Sequence, residues 1–212
     1  MVELAGDVFA KGSFVKRGDH IFRTAAEIYI AGTSAPKRIL LCMLNPGESK
    51  LESSKDWNSF INGENAEVEG SLHLDRTMER VVHLLRRANP NFSGIVRIEN
   101  LFNLRCSKAK TAIDQYKSLK GAALHGELLE SRFDNMASSD LIWIAWTIET
   151  GKDINARKEL LHRKFSSEGR PILGKFKQIG NQHYHAWHVR PQRKDQQVEY
   201  EEFIVPLLKK YL

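Results

Sequence analysis

The residues best equipped for chemistry fall in three short stretches. The first is Asn45-Pro46-Gly47-Glu48, directly after an apolar run at 38–44. Pro46 and Gly47 set a tight turn, so the Asn45 amide is held at a strand end with a donor and an acceptor to offer. Glu48 is the nearest carboxylate in the chain. The second stretch is Asn100-Leu101-Phe102-Asn103, which places two more amides at the end of another apolar run. The third carries His183, His185 and His188, followed by Arg190, Arg193 and Lys194. Imidazoles stabilise developing anions, move protons or bind metals. This spacing suits metal ligands, but no further Cys or acid cluster accompanies it, so no metal is expected. The trailing cations suit phosphate contacts. Trp57 and Phe60 add two aromatic faces shortly after the first stretch. Each feature has a plainer alternative. Asn-Pro is a common turn pair, a strand-end Asn often bonds local backbone, aromatic pairs plug cores, and basic loops are simply solvated.

Such stretches act together only if a scaffold gathers them. Residues 21–30 partly alternate and suggest an edge strand, while 38–44, 94–102 and 140–147 read as buried strands. A short fourth strand is expected at 170–176, and 183–189 reads as a fifth strand or a loop leaving the sheet. Residues 75–88 place Met78, Val81, Val82 and Leu85 on one helical face, with Asp75 to cap the start and Asn89-Pro90 to stop it. Further helices are expected at 108–118, 122–137 and 153–166. A last helix aligns Tyr200, Phe203, Ile204, Leu207, Leu208 and Tyr211, with Pro206 to kink it or mark a late start. Residues 48–73 are polar, with Gly63 and Gly70, and read as a long loop. Strands alternating with helices predict one domain over 1–212: a three-layer α/β/α sandwich around a central, mainly parallel four-stranded sheet. Ligands of such folds sit outside the carboxyl ends of the strands. That is where Asn45, Asn100, Trp146-Thr147 and the histidine segment fall.

The chain has 212 residues, with 32 Lys and Arg against 26 Asp and Glu. The charge is uneven. Residues 48–69 hold six acids and two bases, 75–110 eight bases and three acids, and 152–194 eleven bases and three acids. Two basic stretches on one domain suit a polyanion, most often nucleic acid. An apolar content of 42% with 27% charged residues excludes a disordered chain or a coiled coil. The longest apolar stretch, Leu141–Trp146, is far short of the ~20 residues of a membrane span, so no membrane partner is expected. The N-terminus lacks a signal-peptide pattern, and two cysteines, Cys42 and Cys106, exclude a zinc knuckle or a four-cysteine cluster. A cytoplasmic monomer without a cofactor is expected. Neither GxxxxGK[ST] nor GxGxxG occurs.

In this order the motifs resemble the uracil-DNA glycosylase superfamily. Met43-Leu44-Asn45-Pro46-Gly47-Glu48 resembles its water-activating motif, Gly-Gln-Asp-Pro-Tyr in the uracil-specific branch and Gly-Ile-Asn-Pro-Gly in the mismatch-specific branch. Ile98–Arg105 resembles the strand-end Leu-Asn-x-x-Leu-Thr-Val-Arg, Leu141–Trp146 the Phe-Leu-Leu-Trp-Gly strand, and His188-Val189-Arg190-Pro191 the His-Pro-Ser-Pro loop. The chain is also similar to an uncharacterised bacterial and phage family marked by Met-Leu-Asn-Pro, Asn-Leu-Phe and a histidine-bearing C-terminal loop. Together the resemblances run from about residue 38 to 195.

The resemblance implies a DNA glycosylase. Asn45 would position water through its carbonyl, and Glu48 would supply a base or favour a cation by its charge. Asn100 would read the edge of a flipped pyrimidine, with Trp57 and Phe60 stacking on it. His188 would donate to the base oxygen as charge builds there, although Val189 and Arg190 replace the family's proline and serine, and the second family favours His183 or His185. Arg190, Arg193 and Lys194 would hold phosphates of double-stranded DNA with a flipped base, or of a single strand. Gly47 replaces a Tyr that blocks substituents at C5, so a mismatched or 5-substituted pyrimidine, glucosylated hydroxymethylcytosine included, is the implied substrate. The setting would be base-excision repair or anti-phage defence. Two readings stand beside it: a DNA-binding module of the same fold without catalysis, and an enzyme on free nucleosides or nucleotides.

Overall fold

Four of the expected apolar runs lie side by side as parallel strands in the computed structural model, which describes residues 7–123, 125–133 and 136–212. The strands are β1 Val8–Arg17, β2 His20–Ile30, β3 Lys37–Met43, β4 Glu67–Leu72, β5 Gly94–Asn100, β6 Leu141–Ile144, β7 Ile172–Leu173, β8 Phe176–Ile179 and β9 Gln182–Ala186. The helices are α1 Ser54–Ile61, α2 Arg76–Ala88, α3 Ala109–Gly121, α4 Gly126–Leu129, α5 Lys152–Ser167 and α6 Lys194–Tyr211. The α/β class holds. The sheet is not four-stranded and mainly parallel, however, but seven-stranded and mixed, in the order β4-β1-β2-β5-β3-β6-β7. Antiparallel β2, β1 and β4 extend the parallel block. β2 is therefore interior rather than an edge: β1, hidden in sequence by Lys11, Gly12 and Lys16, pairs along its free side. β8 and β9 form a separate hairpin.

The two-residue period of β3 divides the core. Ile39, Leu41 and Met43 join a cluster with Val81, Val82 and Leu85 of α2 and Tyr200, Ile204 and Leu208 of α6. Leu40, Cys42 and Leu44 face the other side, with Tyr116 of α3 and Leu161 and Phe165 of α5. Helices thus cover both faces of the parallel block. α2 starts as its sequence dictates. Asp75 Oδ1 accepts the N–H groups of Thr77 and Met78 at 2.8 and 2.9 Å, and the helix stops at Asn89.

Several local expectations change. The stretch 48–73 is not a long loop: α1 begins at the Ser53 cap and buries Phe60, and β4 pairs with β1. β4 turns Glu67 and Glu69 to solvent and Leu72 inward. Within 122–137 only α4 and a single 3-10 turn at Met136–Ser138 form; residues 124, 134 and 135 of that stretch lie outside the described residues. α6 does not start late: it runs from Lys194 to Tyr211 with Pro206 inside it, and Tyr200, Ile204 and Leu208 keep one stripe buried along its length. Between β1 and β2 the register slips: Ser13 faces Ala25 but Phe14 faces Arg23, which makes Thr24 the extra residue of a β-bulge. Among the described residues, no helix is long and apolar enough to cross a membrane.

Candidate active site

A cavity of about 680 Å³ opens at the carboxyl ends of β3 and β6. Asn45 and Gly47 line it from the turn after β3, Thr147 and Glu149 from the loop after β6, and His188 and Arg190 from the segment after β9. The start of α2 closes one side with Asp75, and Lys108 and Lys110 stand at the entry to α3. The strand-end rule thus gathers residues from five separate parts of the chain.

Asn45 is fixed by one bond. Its Nδ2 donates to the Cys106 carbonyl at 2.7 Å. A carbonyl only accepts, so this contact settles which end of the amide is nitrogen. Among the described residues Oδ1 takes no hydrogen bond, which leaves it able to accept from a ligand or a water. Gly47 holds a left-handed φ of 66°, and a Cβ there would meet nothing within 4 Å. The glycine is required by the backbone, and the space beside it is open. Arg105 secures the turn from outside by donating to the carbonyls of Ser49 and Glu48, both at 2.9 Å. Glu48 itself is exposed and its side chain does not line the cavity, which corrects its assignment as the neighbouring base.

His188 does line the cavity. Its Nδ1 lies 3.1 Å from both the backbone nitrogen and the carbonyl oxygen of Arg190. Either neutral tautomer is satisfied there, with Nδ1 accepting from the Arg190 N–H or donating to its carbonyl. Burial holds its pKa below the usual histidine value, opposed by a backbone hydrogen bond at Arg190 and the charge of Asp75. The lowered pKa favours the neutral ring at neutral pH.

The other two histidines do not reach the cavity. His183 is exposed on β9. His185 is buried with its Nε2 2.9 Å from Gln182 Oε1 and its Nδ1 3.4 Å from Lys158 Nζ. Lys158, also fully buried, donates to the carbonyls of Thr147 at 2.8 Å and Glu149 at 2.7 Å. The pair therefore braces the cavity loop from behind. Burial pulls the Lys158 ammonium down to about 7, with the charge of Glu149 opposing. The folded value lies below the unfolded 10.5, so the unfolded chain binds the extra proton between them. Stability should rise with pH from about 7 to about 10.5, and fall as pH drops back through that window. Lys158→Met should abolish this rise and, by orphaning two carbonyls, cost about 2–4 kcal/mol; urea unfolding at three pH values measures both.

The aromatic pair is also displaced from the cavity. Phe60 is fully buried, and Trp57 meets Phe14 edge-on at 5.0 Å beneath the Arg105 guanidinium. α1 folds both rings onto β1 as a plug, so neither offers a face to a base. Asn100, at the end of β5, is 2% exposed and does not line the cavity, and its backbone N–H donates to Ser131 Oγ. Asn103 is structural: its Nδ2 donates to Leu128 O and its Oδ1 accepts from Ser131. Of the C-terminal cations, Arg190 and Arg193 line the cavity and Lys194 does not. Arg193 is paired with Asp195.

No protein-family model, curated protein or solved structure matches this chain. The site therefore stands on its own geometry. It includes residues that pattern reading passed over: Arg23, Asp75, Lys108 and Lys110. Asp75 was legible only as a helix cap, and the two lysines only as part of a basic stretch. No group of three or more His, Cys, Asp or Glu that could hold a metal ion occurs among the described residues.

Proposed function

We propose that this chain hydrolyses the N-glycosidic bond of a mismatched or 5-substituted pyrimidine flipped out of DNA. One observation carries the reading: the free Oδ1 of Asn45, oriented by Cys106, shares a cavity with the neutral His188. Breaking a glycosidic bond needs a water placed behind an oxocarbenium-like sugar and a donor for the departing base. An amide oxygen aligns the water, and His188, in its Nε2–H tautomer, meets the charge that develops on the base. Lys108, Lys110, Arg190 and Arg193 give the same cavity a cationic border for phosphates. The open space at Gly47 accommodates a C5 substituent. The parallel block β5-β3-β6-β7 fits the resemblance to uracil-DNA glycosylases.

A second reading, DNA binding without catalysis, is favoured by one feature: the strand-end residue is an amide, and Glu48 lies outside the cavity. The test is base release. Duplex and single-stranded DNA carrying uracil, a thymine mismatch, 5-hydroxymethylcytosine or its glucosylated form is incubated with the protein, then cleaved with alkali. Strand breaks at one modified base support the glycosylase. Intact strands with every base, alongside retained DNA binding, overturn it in favour of the binding module.

A further inference from the structure

Arg23 lines the same cavity from a strand whose alternation would point it the other way. Ala26, Ile28 and Ile30 of β2 face the α2 side of the sheet. Strict alternation would continue that face through Thr24 and Phe22 and turn Arg23 to the opposite side. The bulge at Thr24 reverses this: Phe22 joins the α3–α5 core, and Arg23 stands opposite Phe14 on the α2 side. Bulges commonly re-aim a side chain beside a functional site.

Arg23 is 3% exposed, yet it forms no ion pair among the described residues. Its Nη1 donates to Ser49 Oγ at 3.0 Å, and its Nε is sealed in without a partner. Nη2 makes no hydrogen bond either, but unlike Nε it is not closed off, so it is the atom a ligand in the cavity can reach. Burial lowers the pKa to about 10, with the charges of Asp75 and Glu99 opposing, so the group stays a cation at neutral pH. A buried cation so placed is costly unless something else completes it. Asp75 does not: it acts from beyond ion-pair distance, and its Oδ1 is committed to the α2 cap. The missing partner must be an oxygen acceptor or an anion, and it must arrive through the cavity.

We propose that Arg23 is a further catalytic residue, which stabilises the departing pyrimidine as its anion. The role rests on the glycosylase reading and adds a full charge to it. When the C1′–N1 bond breaks, its electron pair leaves with the base and spreads onto the ring oxygens. Water adds its oxygen to C1′ and its second proton ends on the released base, so the products are a sugar hydroxyl and a neutral pyrimidine. In this scheme His188 offers the base a neutral donor. Arg23 offers a permanent cation in a site with little water, where electrostatic stabilisation of developing charge is strongest. The spacing suits the role. Only β5 separates β2 from β3, so Arg23 stands two strand spacings, roughly 10 Å, from the strand that delivers Asn45. A water, C1′ and a pyrimidine ring laid in line cover about that span, which brings the far oxygen of the base to the guanidinium.

The experiment varies the leaving group. Single-turnover rates are measured on duplexes that carry, at one mispaired position, the 5-fluoro, unsubstituted or 5-methyl form of the base the protein releases. Acidity of the free base falls in that order, so the need for anion stabilisation rises. Arg23→Met should slow release of the 5-methyl base by about 100-fold or more, and of the 5-fluoro base by less than about tenfold. Arg23→Gln, which keeps a donor for Ser49, should show the same pattern. Arg23→Lys keeps the charge, and should recover most of the lost rate and the wild-type dependence on the base. A merely structural role predicts equal slowing of all three bases. Equal slowing, no slowing, or an Arg23→Lys rate as low as that of the neutral variants overturns the role and leaves the glycosylase reading standing. Absence of base release by the wild-type protein overturns that reading and the role with it.

Discussion

Asn45→Ala is expected to slow base release by about 100-fold or more while moving the unfolding midpoint by only a few degrees. The two effects separate because Asn45 makes one structural bond, from Nδ2 to Cys106 O, worth about 1 kcal/mol. Its other end is the one proposed to hold the reacting water. Losing a water-positioning contact costs far more in rate than in stability, since a misplacement of about 1 Å can cost ~100-fold. Single-turnover kinetics on the best substrate, beside thermal unfolding of the same preparations, checks both parts. Asn45→Asp makes a sharper test. A carboxylate brings a stronger base, but both of its oxygens accept, and one would stand 2.7 Å from the Cys106 carbonyl oxygen. The side chain must turn away or carry a proton. The expected outcome is a rate below wild type at neutral pH that recovers partly as pH falls, when the protonated group can donate to Cys106. A faster Asn45→Asp enzyme at neutral pH would show that the Cys106 bond does not set the geometry.

Gly94→Ala should unfold the protein outright. Gly94 begins β5 with φ of 155°, and a Cβ there would lie 2.1 Å from the Lys37 carbonyl oxygen and 2.9 Å from the Lys37 nitrogen. Both atoms are backbone of the neighbouring strand β3, in register with Gly94. They cannot move without parting the two central parallel strands, so a loss of more than ~4 kcal/mol is expected. Gly180→Ala is the control. It also has a left-handed φ, 58°, but a Cβ there meets nothing within 4 Å, so the cost is only about 1 kcal/mol. Circular dichroism and urea titration distinguish the two; similar behaviour of both variants would mean that the β3–β5 junction has slack.

The elements carried by local patterns were legible. α2 shows its apolar stripe, its Asp75 cap and its Asn89-Pro90 stop, and the structure uses each of them. β3, β5 and β6 are apolar runs buried on both faces of a sheet, which no other local structure explains as well. What escaped depended on partners. β1 mixes Lys11, Gly12 and Lys16 with apolar residues and becomes a strand because β2 and β4 pair with it. β4 carries an alternation of Glu67, Val68, Glu69 and Leu72 that a reading for net charge takes as loop. In the site, Asn45 and His188 were visible as a turn amide and a loop histidine. Arg23 was not, because a bulge set by pairing across two strands decides which way it points. His185 and Phe60 misled for the converse reason: their types suit chemistry, but packing against Lys158 and Phe14 uses them as structure.

The bond between Asn45 and Cys106 has a practical side. The chain has two thiols, and Cys42 is buried in β3 with its pKa pushed well up by burial, so it stays protonated and shielded. Cys106 is half-buried and immediately precedes Ser107, which lines the cavity. The native protein thus carries one addressable labelling position, already located where Asn45 is anchored. A thiol-reactive fluorophore attached to the unmutated chain would report on occupancy of the cavity from its rim.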